Sequence, residues 1–415
     1  MEQRWINPPF YDQWMYRILI GLAFASNIST GASSVLVALG ILLVLVQAVR
    51  TRTFPALDTG MLKAVLIYLG IWIICGLASR EPNISVAAVG STAHRILPVF
   101  LALLCVRSKK QIGGIILAFS LSVCINNITA FAQLYTHGIM WRPSGFVHTP
   151  TFLASHLLMA IPVFCFFAQQ EYMRRFQRPL LALAALSGVL LVLTQTRGAW
   201  LAAAGTLLLL FVLAPKLRRL LLIAGVIGTL LLGTVLAFSP MYASRFSSIS
   251  DTKHTSNQER IYMWQAAIEI FQDYPILGVG MEEYGYYYNA IYIPDAAVER
   301  PTNPNDPKTG HTQPHNNFLQ HLAEGGIFGA AAFLILHGYL LCRLWRQFRM
   351  ERKKGLPSYA LMGLLIFAGI HLEGLTDTNV NQVSIGREYW LLMGLILAAG
   401  KMGQQLEDKP HNAQI

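Results

Sequence analysis

Charge is scarce in this chain. Only 13% of its 415 residues are Asp, Glu, Lys or Arg, against about 25% in an ordinary soluble domain, and that shortfall excludes a soluble fold of usual composition. Cysteine is scarce too. The five present, Cys75, Cys105, Cys124, Cys165 and Cys342, lie in or beside apolar runs without CxxC spacing, so neither a disulfide framework nor a thiolate metal site is written here. Other metal signatures are missing: there is no HExxH, no DxD-like pair and no run of clustered aspartates, and no metal or other cofactor is expected. Acidic residues are outnumbered 21 to 32, for a formal net charge of +11. The basic residues fall in short clusters against apolar runs, which points to a membrane surface and away from nucleic acid. The first apolar run is followed by many others and reads as a signal anchor at most, not a cleaved leader.

What is there is apolar sequence. Hydrophobic residues make up 54% of the chain and the mean hydropathy is +0.46, so the fold class is an all-α polytopic membrane protein. Twelve candidate spans can be counted, near residues 15–30, 33–49, 61–79, 84–106, 111–134, 150–169, 179–196, 198–214, 220–239, 325–345, 359–375 and 387–402. With the N-terminus inside, the basic clusters at 50–52, 107–110, 174–178, 216–219 and 343–354 all fall on the cytoplasmic side, as the positive-inside rule requires. The expected organisation is a bundle of nine spans (1–240), a polar outer segment (241–324), three further spans (325–402) and a short cytoplasmic tail (403–415).

The stretch 251–324 is the only long polar interval, and polar residues withheld from lipid in this way mark chemistry or recognition. Other outer elements can join it. Arg95 lies roughly three turns inside the fourth span and either snorkels to the interface or faces a polar cavity. Arg142, in a loop constrained by Pro143, Gly145 and Pro150, either folds over the membrane mouth or anchors at headgroups. Arg197 sits on the very short turn TQTRGAW. A rigidly placed guanidinium suits phosphate, although an interfacial arginine beside Trp200 is the ordinary alternative.

Within the polar stretch, Ile261, Trp264, Ala267, Ile268 and Phe271 recur at helical spacing, predicting an amphipathic helix capped near Ser256 or Asn257. Arg260 then falls in the first turn, unfavourable for the helix dipole unless an anion shares the site; Glu259 offers a simple compensation instead. PILGVG ends that helix. Glu282, Glu283 and the tyrosines from Tyr284 onward could hold a sugar or form an interfacial belt. The segment 294–310 has the composition of a flexible flap. HTQPHNNFLQHLAEGG predicts a helix starting at His315 after Pro314, which puts a neutral imidazole at the outer face as a base, with His311 and His321 as alternatives. A structural cap is the competing role. Glu373 or Asp377, between the last two spans, could orient a histidine.

The Arg142 loop, TRGAW, Glu259–Arg260 followed by YPILGVG, and PHNNFLQHLAEGG together resemble the O-antigen ligase and O-antigen polymerase superfamily, most closely its ligases. The resemblance implies a GT-C-like, metal-independent, inverting glycosyltransferase of the Gram-negative inner membrane, N-in and C-in, with a partly helical periplasmic loop. It implies a glycan donor on undecaprenyl diphosphate and, for a ligase, a lipid A core sugar hydroxyl as acceptor. By correspondence Arg197 and Arg260 bind the diphosphate and His315 activates or positions the acceptor hydroxyl, these three being the catalytic set; Arg142, Arg95, His311, Glu282, Tyr284, Asn316 and Asp377 are expected in substrate binding. Membrane lipids are the other expected partners, and a monomer is expected. A polymerase differs only in acceptor. A protein oligosaccharyltransferase is disfavoured by the short tail, and an anion transporter by the lack of a repeat between halves.

Overall fold

The computed structural model describes residues 9–54, 56–249, 251, 254–301, 303, 309–355 and 358–405. Among these every regular element is helical. In chain order they are α1 (Pro9–Ala25), α2 (Thr30–Thr51), α3 (Thr59–Leu77), α4 (Pro82–Ile96), α5 (Pro98–Cys105), α6 (Lys109–His137), α7 (Pro150–Phe167), α8 (Gln177–Leu193), α9 (Arg197–Leu213), α10 (Arg218–Phe238), α11 (Pro240–Ser247), α12 (Thr255–Asp273), α13 (Tyr284–Tyr287), α14 (Asn317–Lys353), α15 (Tyr359–Glu373) and α16 (Val383–Gln405).

Each of the twelve expected spans coincides with helix, the fourth with the α4–α5 pair divided at Leu97–Pro98. Among the described residues, however, eight helical stretches are long and apolar enough to cross a membrane, or nine if the pair 197–213 and 215–223, bent by 108°, counts as one. The 17 residues of α1 and the 15 of α15 fall short of the usual span. The residues expected to form the cytoplasmic tail lie, from 406 on, outside the described part, as do 302 and 304–308 of the expected flap.

The helices start where the sequence supplies caps. Ser29, Asp58, Ser108, Thr149, Asn316 and Ser358 each accept a backbone amide of the first turn that follows, satisfying donors that lipid cannot. At the centre α16 packs on α5, α7 and α15, while α14 packs on α3 and α15. The α3–α14 contact depends on small residues: a β-carbon on Gly325 or Gly329 would come within 2.8 or 3.1 Å of the Trp72 ring.

The feature that positions the site is a break in α14. Gly326 has φ 57° and ψ −154°, outside the helical region, which frees neighbouring backbone groups. The Pro275–Gly280 turn takes them up. Ile327 and Phe328 donate to the carbonyls of Pro275 and Ile276, while Val279 and Gly280 donate to Ala323 and Glu324. The PILGVG segment does end α12, and it is also threaded into the bundle.

Two ends of the bundle are chemically distinct. At one, the loops 138–149, 194–196 and 374–382 meet α11, α12 and the start of α14 through Arg142, Arg197 and His315. At the other, Asp58 pairs with Arg343 and Lys401, and the Tyr172 and Tyr359 hydroxyls are 2.9 Å apart.

Candidate functional site

His315 does not begin a helix. Asn316 is the cap of α14, its side-chain oxygen accepting from Phe318 and Leu319 while its amide donates to Leu375; this occupies Asn316 structurally. His315 precedes the cap in the left-handed region, φ 49°, a conformation that costs a non-glycine residue energy and is found where surrounding contacts impose it. The contact here is Asp377, whose Oδ1 lies 3.0 Å from His315 Nδ1. Asp377 also accepts the Thr378 amide at 2.8 Å. Burial alone would raise the Asp377 carboxyl, but the hydrogen bond and charge of His315, with Arg260 nearby, hold it below the usual carboxylate range. An ionised Asp377 favours a proton on Nδ1, so that in the neutral ring Nε2 is the nitrogen carrying the free lone pair. The His315 side chain is 30% exposed and that of Asp377 only 7%, so the ring reaches solvent and its support does not.

Arg260 is brought beside this pair by α12. The helix starts at Thr255, so Arg260 lies in its second turn and the dipole argument drawn from a first-turn position falls away. The buried face is Glu259, Met263, Ala266, Ala267 and Ile270, rotated from the predicted stripe, and Ile268 is exposed. Glu259 does not compensate Arg260: its carboxylate accepts the Val298 amide at 2.8 Å. One turn beyond Arg260, the Trp264 indole donates to the Pro314 carbonyl at 3.0 Å, tying this face of α12 to the segment that carries His315. No hydrogen-bond acceptor engages Arg260 among the described residues.

Arg197 is buried at the first residue of α9, and its fork is fully engaged. Nη1 donates to the Ser248 carbonyl and hydroxyl at 2.6 and 2.9 Å, and Nη2 to Ser256 Oγ and Asn257 Oδ1 at 2.9 and 2.7 Å. These acceptors are neutral. Arg142 donates to the Thr194 carbonyl and, at 3.5 Å, to Thr196 Oγ1. Its loop is held from below, because Gln133 accepts the Ser144 and Gly145 amides and Asn126 that of Phe146.

A fourth cation, which the sequence reading passed over, joins them. Arg245, at the end of α11, donates Nε to the Gln195 carbonyl at 3.3 Å. None of the four arginines forms a salt bridge to a carboxylate among the described residues. Burial lowers the Arg142 guanidinium to about 10, with Arg245, Arg260 and Arg197 adding repulsion and only Asp377 opposing it. Burial and Arg260 lower Arg245 in the same direction. A cavity of about 190 Å³ lies beside two of these arginines, lined by Arg197, Ile249, Asn257, Arg260, Trp264 and Thr376 among others.

Of the remaining candidates only His311 lies against His315. Arg95 neither snorkels nor faces this cavity; it is buried, bonded to the Asn381 carbonyl and Ser91. Tyr284 is fully buried, donates to the Met263 carbonyl and stacks on Tyr288 at 5.8 Å, so its ring is core packing and offers no face to a sugar. Glu282 is exposed with φ 66° and has no direct contact with His315. His311 packs edge-on to His315 at 6.4 Å with Glu299 at 3.2 Å; burial lowers its imidazole against the pull of Glu299. His321 is buried, with Nδ1 2.6 Å from the Asn317 carbonyl and Nε2 3.3 Å from the Tyr68 hydroxyl. Glu373 does not orient a histidine; it accepts from Ser155 and Asn379 beneath the loop. No group of three or more His, Cys, Asp or Glu side chains suited to a metal ion occurs among the described residues.

The arrangement combines an oriented imidazole, a cavity and an excess of positive charge, which suits proton abstraction beside a departing anion. No curated protein matches the chain. Residues 182–334 match the family described as O-Antigen ligase, so the resemblance to the O-antigen ligase superfamily holds over the stretch that contributes Arg197, Arg245, Arg260 and His315 to this site.

Proposed function

We propose that this protein is a glycosyltransferase of the O-antigen ligase type. It moves a glycan from undecaprenyl diphosphate to a sugar hydroxyl of lipid A core at the periplasmic face of the inner membrane. The observation that carries the reading is the His315–Asp377 pair beside a cavity bounded by Arg197 and Arg260. A hydroxyl near His315 Nε2 gives up its proton to that nitrogen as its oxygen attacks the anomeric carbon. The bond from that carbon to the diphosphate oxygen breaks, and the electron pair leaves with the diphosphate. One direct displacement inverts the anomeric centre. Asp377 stabilises the imidazolium that forms, and the guanidinium cluster takes up charge growing on the leaving group, so the site favours the transition state over the ground state.

The sidedness of the reading rests on charge. With both termini cytoplasmic and twelve crossings, all five basic clusters fall inside and the His315 end of the bundle falls outside. The test is a purified assay with lipid-linked glycan, run with lipid A core or with no second acceptor. Glycan on the core supports a ligase. A lengthened lipid-linked glycan makes the protein a polymerase, and no transfer in either arm, with folded protein, refutes the enzyme. Within the active assay, His315→Ala should abolish transfer, and near-normal turnover would remove His315 from the chemistry.

A further inference from the structure

The polar turn Thr194–Arg197 acts as a collector of cations. Its Thr194 carbonyl holds Arg142, its Gln195 carbonyl holds Arg245, and Arg197 follows directly. Gln195 adopts φ 54°, and its side-chain amide also donates to the Met140 carbonyl, so a strained backbone is kept in place by both neighbouring loops. Arg197 then reaches across to Ser248, three residues after Arg245, and to Asn257, three before Arg260. Four like charges gathered without a carboxylate in salt-bridge contact, with Asp377 and Glu373 the carboxylates that feel Arg260, repel one another, and an anion completing the site would relieve that repulsion.

The four do not offer the same capacity. Arg197 has both terminal nitrogens committed to Ser248, Ser256 and Asn257. Arg245 has only its Nε engaged, and both terminal nitrogens, the pair that grips two phosphate oxygens at once, make no hydrogen bond among the described residues. Arg245 is half-buried, feels the charge of Arg260, and stands four residues before Ile249, which lines the cavity together with Arg197 and Arg260.

We infer that Arg245 is a diphosphate-binding residue working with Arg260, and that Arg197 is a positioning residue whose clamp on Ser248 and Asn257 holds that pair at the cavity. The inference rests on the proposed donor class, and it deepens that reading by moving direct phosphate contact from Arg197 to a residue outside the resemblance motifs.

The test is titration of the detergent-solubilised full chain with inorganic pyrophosphate by calorimetry, together with donor kinetics in the transfer assay. Arg245→Gln should weaken pyrophosphate about tenfold or more, as expected for loss of a charge-assisted pair of hydrogen bonds, and should raise the donor KM more than it lowers kcat. Arg300→Gln, an exposed arginine of the same outer segment, should leave both unchanged. Arg245→Lys keeps the charge and the stem, so it carries the test if the Gln variant misfolds; it should bind several-fold more weakly, because one ammonium cannot serve Gln195 and two phosphate oxygens together. Arg197→Lys should increase hydrogen exchange at 254–258, and that looseness should fall when pyrophosphate is bound. Wild-type protein that binds pyrophosphate through Arg245 yet transfers no glycan supports the inference and sinks the proposed function. Arg245→Gln binding as tightly as wild type, or wild type not binding at all, overturns the inference; in the first case an active transfer assay leaves the proposed function standing.

Discussion

At the scale of the residue, the site is a set of side chains whose partners decide what each can do. In the proposed mechanism Asp377 gives His315 a fixed tautomer, so Asp377→Asn should lower kcat by about 10²–10⁴-fold while changing KM little, measured in the lipid-linked transfer assay. A fall confined to KM would show that Asp377 only shapes the pocket. Arg197→Lys removes a four-bonded fork from a buried position; a loss of roughly 2 kcal/mol of stability and at least tenfold in activity is expected, read by thermal melting and by kcat/KM. Unchanged values would mean that a point charge suffices. The residue identities were partly legible in the sequence. His315 and Arg197 stand out because each is held on a short or constrained polar stretch abutting an apolar run, His315 after Pro314 and Arg197 on the turn TQTRGAW. Arg245 gave no such signal: it sits in PMYASRFS, a stretch that looks like any interfacial arginine beside a phenylalanine. The tyrosines gave a misleading one, because a row of hydroxyl-bearing rings reads the same whether it faces a sugar or, as with Tyr284, a neighbouring backbone carbonyl.

At the scale of the element, the break in α14 is the part most exposed to substitution. Gly326 has a positive φ, and a β-carbon there would press on the Ile276 carbonyl, so Gly326→Ala should destabilise the protein by more than the ~1 kcal/mol of an ordinary incompatible glycine position. The melting temperature checks this, and an unshifted melt would show that the turn can move aside. The polar segment 251–324 also has a pH dependence. His311 is held below its ordinary value by burial, so the unfolded state binds its proton more readily than the folded one. Stability from His311 is therefore complete above the ordinary histidine range, near 6.5, and drains away as pH falls below it. Hydrogen exchange at 284–292, corrected for intrinsic rate, should be faster at pH 5.5 than at 7.5, and His311→Gln should flatten the difference. Helix positions were readable from the apolar runs because a run is local. The rotated face of α12 and the start of α14 at Asn317 were not, since α12 is oriented by its grip on Pro314 and Val298, and Asn316 makes a better cap than Pro314 makes a first residue.

At the scale of the whole molecule, the proposed sidedness can be decided by labelling. With the five native cysteines replaced, Arg300→Cys should react with an impermeant maleimide added from the periplasmic side of intact cells with a permeabilised outer membrane. Labelling only after the inner membrane is breached would invert the arrangement. The twelve apolar runs announced the bundle, because hydropathy reports the surroundings of a helix directly. They could not announce which loops converge, since the contacts Arg142–Thr194 and His315–Asp377 join segments 52 and 62 residues apart and leave no periodic trace. The same long-range stitching sets an order of assembly. The amides of Ile327 and Phe328 have acceptors only when Pro275 and Ile276 are already in place, and in a bilayer a donor left without one costs several kcal/mol. Residues 275–280 precede 327–328 in synthesis, so the continuation of α14 past Gly326 finds its acceptors in chain already made, and a substitution in PILGVG acts on the bundle as well as on the site.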